Sequence, residues 1–433
     1  HVSRLKCKGK IKMSKELLHT PEGVRDVYGK ECARKLTIEN KINNIFNLYG
    51  FHNVQTPTFE FFDIFNKERG SVPSKNLYKF FDREGNTLVL RPDLTPSIAR
   101  IAAKNYMDVN VPIKICYNAN TYINNSELQG KLKEITQLGC ELIGDDSVEA
   151  DAEMVALVVN SLKSAGFDKF LVEIGQVDFY KGLLEECGFE DDVEEELRVR
   201  IENKNFFGVE ELLDSKDITS NVKDTFLKLP SLFGSSDVLD KAKELATNEK
   251  SLKAIEKLEE VYSILVDYGV ADYISFDLGM LSNFNYYTGI IFRGYTYGTG
   301  DAIGKGGRYD NLLAQFGKEA SASGFTILID DVLSALSRQN ISISLKEYAY
   351  SLLLYKSEDR QNAIPLVVKL RDAGVRTELV SMTEGKTLEE YLAFGKNQGA
   401  EGILYLDGEN VTVYDMASGE QETKTLQEFR EEY

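Results

Sequence analysis

The run LSNFNYYTGIIFRGYTYGTGDAIGKGGRYDNL, residues 281–312, constrains this chain more than any other. Tyr286 and Tyr287 open a β-rich segment, and Tyr309 follows a double glycine. Gly306 and Gly307 can take positive φ and let a ligand or another chain approach the backbone. Arg308 beside them offers a planar fork suited to a carboxylate. Taken alone, the same residues also fit a hairpin with a tight turn ahead of a helix starting near Asp310.

At 433 residues the chain is too long for one ordinary core and predicts two or three domains. Leu36, Ile38, Ile42, Ile45 and Phe46 recur at helical spacing, and a strand ending at Pro57 follows. Residues 76–103 predict a hairpin turning at Glu84, Gly85 and Asn86, then a strand and a helix with Pro96 in its first turn. Residues 111–144 read as two strands joined by a polar loop. Gln137 and Glu141, four apart, share a face of the second, where a glutamate between Cys140 and Leu142 is costly unless paired. An acidic helical insertion spans about 185–260, interrupted near Pro230. Residues 346–433 alternate strand and helix and end in a hairpin, an α/β domain. Residues 1–12 are basic, precede Met13 and lack the apolar core of a signal peptide, so they read as a tag or a misassigned start.

Five widely spaced cysteines without a CxxC pair suggest neither a disulfide framework nor a zinc site and point to the cytoplasm. Three histidines rule out a His-rich metal cluster, and no cofactor is expected. No apolar run is long enough to span a membrane. A net charge of −18 disfavours polyanionic partners, and residues 346–433 carry ten basic against 17 acidic side chains.

The segments NYYTGIIF at 285–292 and GGRYDNL at 306–312 resemble the histidine-binding core of class II histidyl-tRNA synthetases. They equally resemble the non-catalytic relatives of those enzymes, the regulatory subunits of short-form ATP phosphoribosyltransferase. The resemblance implies an α+β fold. A class II synthetase-like core with a mixed, mainly antiparallel sheet would occupy 13–340, with the helical insertion inside it, and an anticodon-binding-like α/β domain 346–433. It also implies a dimer formed through the core. The family's amino-acid pocket maps onto Asp93, Thr95, Gln137, Glu141, Tyr286, Tyr287, Arg308 and Tyr309, where RPDLT at 91–95 stands for the family's RPEGT.

The two relatives differ at the arginines that meet the nucleotide. Where the synthetases carry phosphate-facing arginines, this chain has Ile123 in its second motif, Ser282 before the aromatic pair and Asp331 at the end of GFTILIDD. Leu328 fills space that a glycine leaves for nucleotide. Losing one preorganised charge-stabilising donor costs roughly 10²–10³ in rate, so three losses leave no credible adenylate synthesis. The resemblance therefore implies a non-catalytic regulatory subunit of histidine biosynthesis. It would pair with the short catalytic chain, which would hold the catalytic residues, and take L-histidine as effector, with no role for tRNA. A histidyl-tRNA synthetase, or a degenerate histidine-sensing paralogue of one, is the alternative.

Overall fold

A computed structural model of the chain describes residues 18–65, 72–125, 131–216, 218–281, 287–345 and 350–432. Residues 1–12, Tyr286 and Ser282, all singled out above, lie outside the described residues. The chain divides into two compact units, residues 1–343 and 344–433.

The first unit is built on a nine-stranded sheet. Its order is His52–Asn53, Ile113–Tyr122, Glu134–Ile143, Ala322–Leu328, Gly304–Arg308, Ile290–Thr296, Phe170–Gln176, Ile274–Asp277 and Phe233–Gly234. All neighbours pair antiparallel except the first pair and the pair Phe170–Gln176 with Ile274–Asp277. The fold is α+β.

Period-two alternation gives the central strands two different faces. Phe292, Phe325 and Ile327 turn toward a core shared with Ile38, Ile42 and Phe46 of the Gly29–Leu48 helix and Val155, Val158 and Val159 of the Val148–Ala165 helix. The Phe46 and Phe325 rings meet edge to face at 5.7 Å. Each fully buried aliphatic side chain here contributes about 1.5–3 kcal/mol. The Val148–Ala165 helix starts where the Ser147 side chain accepts the Ala150 N–H and stops at Gly166, whose φ of 113° closes it. Gln137, Thr326 and Gly324 turn the other way, and that face carries the candidate site.

Four local expectations are corrected. The strand expected to end at Pro57 is two short strands, His52–Asn53 and Phe59–Phe61. Pro57 has no N–H to continue a ladder, and the intervening carbonyls of Thr56 and Pro57 accept hydrogen bonds from Arg91 at 2.7 and 3.1 Å. Gly306 and Gly307 are absent from the positive-φ glycines and sit in a central strand. Their value is the missing side chain. A Cβ at Gly307 would run into the Tyr287 ring, and one at Gly306 into Phe292 and Phe325. No α-helix starts near Asp310; a 3₁₀ turn, Leu313–Phe316, stands there instead. The Asp310 carboxylate is committed to Thr288 Oγ1 at 2.8 Å, Arg308 Nη1 at 3.2 Å and the Ala322 N–H at 3.3 Å, tying three segments together. Finally, the inserted helices begin earlier and end later than expected, from Val177–Cys187 to Glu249–Asp267, because Val261 and Leu265 continue the buried stripe of the last helix.

The second unit is a five-stranded sheet ordered Arg376–Ser381, Tyr350–Tyr355, Gly402–Asp407, Asn410–Asp415 and Gln421–Thr425. The first three strands are parallel and the last two antiparallel. Among the described residues no helix is long and apolar enough to cross a membrane.

Candidate functional site

A cavity of about 670 Å³ lies over the face of the central strands that the helices leave open. Strand register sets its floor. Glu141 stands opposite Gly324, which stands opposite Gly307; one step along, Gly139 faces Thr326, which faces Lys305. The glycine row makes room for a carboxyl group. A Cβ at Gly324 would collide with the Glu141 carboxylate itself.

Glu141 is only 1% exposed. Thr95 Oγ1 donates to its Oε1 at 2.9 Å, Tyr117 OH donates to the same oxygen at 3.4 Å, and Tyr309 OH donates to Oε2. Three hydroxyls do not offset the burial. Desolvation pushes the carboxyl up to about 8, and the nearby Asp93 adds to the rise. Asp93 lines the cavity with Thr95, at the start of the Thr95–Asn105 helix, and accepts the Leu94 N–H at 2.7 Å. Gln137 lines it too, and its Oε1 is buried with no hydrogen-bond partner among the described residues. Tyr287, packed over Gly307, forms a flat wall, and burial raises its hydroxyl pKa. A site with a buried carboxyl, an orphaned amide oxygen and aromatic walls is suited to a small ligand that carries N–H donors.

The other half of the cavity is lined by Ile123, Leu328, Asp301, Asp330 and Asp331. Asp330 accepts the Thr136 N–H at 2.9 Å and pairs with Lys35 at 3.4 Å. Asp331 is held above the usual carboxylate range by burial and then by Asp330. Ile123, Leu328 and Asp331 are poor company for a triphosphate, and Asp330 and Asp301 already engage the nearby Arg25 and Lys131 at 3.9 and 3.3 Å.

The family model for histidyl-tRNA synthetase matches residues 23–332. An ATP phosphoribosyltransferase regulatory subunit from Ruminiclostridium cellulolyticum is 44% identical over 93% of this chain and 96% of its own length. One from Acetivibrio thermocellus is 41% identical over 96% of this chain and 99% of its own. The chain belongs to the ATP phosphoribosyltransferase regulatory subunit family. A solved structure from Bacillus halodurans, described as an ATP phosphoribosyltransferase regulatory subunit/histidyl-tRNA synthetase, superposes with a TM-score of 0.80 at 32% identity. It covers 90% of this chain and 98% of that one.

Within this family frame, the structure gathers Asp93, Thr95, Gln137, Tyr287 and Tyr309 around one cavity, with Glu141 beneath them. Arg308 does not join them. It lies on the helix-covered face, 2% exposed, with its guanidinium on Asp151 at 2.9 Å and Asp310 at 3.2 Å. It also donates to the carbonyls of Asp145 and Ser147. Asp151 takes a second cation, Lys257, at 3.2 Å. Arg308 is therefore a structural clamp between sheet and helix and not a carboxylate receptor in the cavity. Sequence reasoning missed Tyr117 and Lys305. Lys305 carried a signal, because alternation along a strand puts 305, 307 and 309 on one face and 308 on the other.

Proposed function

We propose that this chain is the regulatory subunit that works with a short-form ATP phosphoribosyltransferase catalytic chain in histidine biosynthesis, and that its cavity senses L-histidine. The observation that carries the reading is the division of the cavity. One half keeps Asp93, Thr95 and Gln137 on its lining for an amino acid, with Glu141 buried beneath them. The other half has Ile123, Leu328 and Asp331 where a nucleotide would need cations, and of the cations that line the cavity Arg25, Lys131 and Arg338 are taken up by Glu31 and Asp330, Asp301 and the Gly298 carbonyl. On this reading the catalytic residues belong to the partner and no tRNA is bound.

Two expected results follow. The isolated chain should exchange no pyrophosphate into ATP in the presence of histidine above a no-enzyme control; clear histidine-dependent exchange would restore the synthetase alternative. For assembly, the three-stranded sheet of Phe59–Phe61, Thr87–Leu90 and Lys79–Phe81 leaves Phe59, Phe61 and Phe80 exposed on one face, a face suited to burial against a second copy. Light scattering should give twice the 48.7 kDa chain mass, and a larger hetero-oligomer after mixing with the catalytic chain. A monomer that ignores the catalytic chain would contradict the assignment.

A further inference from the structure

Four cations line the cavity: Arg25, Lys131, Lys305 and Arg338. Three are committed within the chain. Arg25 pairs with Glu31 and reaches Asp330 at 3.9 Å, Lys131 pairs with Asp301 at 3.3 Å, and Arg338 donates to the Gly298 carbonyl. The Lys305 ammonium alone has no hydrogen bond or ion pair among the described residues; Asp301 and Asp331 act on it only from beyond ion-pair distance. Burial pulls its pKa below the ordinary lysine value. An ammonium held partly out of water with no counter-charge at ion-pair distance is costly unless an anion arrives.

Its position fits such an anion. Lys305 shares a strand face with Gly307 and Tyr309, and Gly307 is in line with Gly324 and Glu141. With strands about 4.8 Å apart and alternate residues about 6.7 Å apart, the Lys305 and Glu141 backbones are roughly 12 Å apart across two strands. Side chains reaching in from both ends leave the span of a small zwitterion. Between them the Tyr287 ring covers Gly307 and the Glu141 carboxylate fills the space over Gly324, so a ligand spanning the gap rests on those two side chains.

We propose that Lys305 is the carboxylate anchor of this cavity. The ligand is then a free α-amino acid lying against the Tyr287 ring, its ammonium toward Asp93 and the Glu141 carboxyl beneath and its carboxylate on the Lys305 Nζ. The assignment rests on the amino-acid reading given above and supplies the anion receptor that Arg308, on the other face, does not.

The test is calorimetry on the full chain, alone and mixed with the catalytic chain, using L-histidine and L-histidinol. Histidinol keeps the ammonium and imidazole and has a hydroxymethyl group in place of the carboxylate. The wild-type chain should prefer histidine by about tenfold or more, the effect of one charge-assisted contact. Lys305→Met should weaken histidine by a similar factor and erase the preference, and Lys305→Arg should restore part of it. Thermal melting of both variants checks the fold, and if Lys305→Met melts early, Lys305→Gln takes its place. If the wild-type preference survives in a folded Lys305 variant while Glu141→Gln abolishes histidine binding, the anchor is overturned and the amino-acid site stands. If histidine fails to bind the wild-type chain in either form, the site and the anchor both fall.

Discussion

Replacing Arg308 with methionine is expected to cost this protein about 3–5 kcal/mol of folding stability, the usual penalty for removing one partner of a buried ion pair. Asp151 is 0% exposed, and without the guanidinium only Lys257 among the described residues remains to balance it. The carbonyls of Asp145 and Ser147 and the carboxylate of Asp310 would lose donors in the same step. Domains are commonly stable by about 5–15 kcal/mol, so the denaturant midpoint should fall far and the protein should accumulate poorly. An Arg308→Met protein with an unchanged midpoint that no longer bound histidine would return Arg308 to the ligand site.

A Glu141→Ala change is expected to weaken histidine binding by about 1.5–3 kcal/mol, roughly 10- to 150-fold, by removing a charge-assisted contact. The pH dependence has a definite sign. In the empty cavity the carboxyl titrates at about 8, so near neutrality it is mostly protonated. A ligand ammonium favours the ionised form, so binding expels a proton, and affinity should rise by up to roughly tenfold per pH unit below that value and flatten above it. Glu141→Gln should bind weakly with a flat profile over the same range. The raised value also bears on the empty chain. Its contribution to stability is fully present below the unfolded value of about 4.3 and declines as the pH rises toward the folded one. Saturating histidine should offset that decline. Equal affinity at low and high pH in the wild-type protein would show that Glu141 does not meet the ammonium.

What could be read from the sequence follows the range of the interactions involved. Gln137 and Glu141 were legible because strand alternation is a local rule, and burying a carboxylate beside Cys140 and Leu142 requires partners. Those partners, Thr95 and Tyr309, are 46 and 168 residues away, and only the family resemblance brought them near. Arg308 was misplaced for the same reason in reverse. Its counter-charge is 157 residues upstream on a helix, so the local pattern showed a free fork beside two glycines. Reading those glycines as a turn also hid the alternation that places Lys305, Gly307 and Tyr309 on the cavity side. Pro57 signalled a break but not where the strand stops, at Asn53, because the hydrogen bonds from Arg91 that hold the break open come from another hairpin. The Glu249–Asp267 helix outran its expected end because Val261 and Leu265 are buried in the core it shares with the Val148–Ala165 and Val177–Cys187 helices, a matter of tertiary packing.

The central claim, that an amino-acid pocket without nucleotide chemistry governs activity housed in another chain, is tested most directly by the rate of phosphoribosyl transfer to ATP. That rate should be measured for the catalytic chain alone, for the mixture, and for the mixture titrated with histidine. The account predicts little activity alone, a marked rise on mixing, and a histidine-dependent fall of about 5- to 150-fold, the span of a typical coupling of about 1–3 kcal/mol. The fall should be blunted in the Glu141→Ala mixture and unaffected by tRNA. A mixture no faster than the catalytic chain alone, or one whose rate is indifferent to histidine, would contradict it.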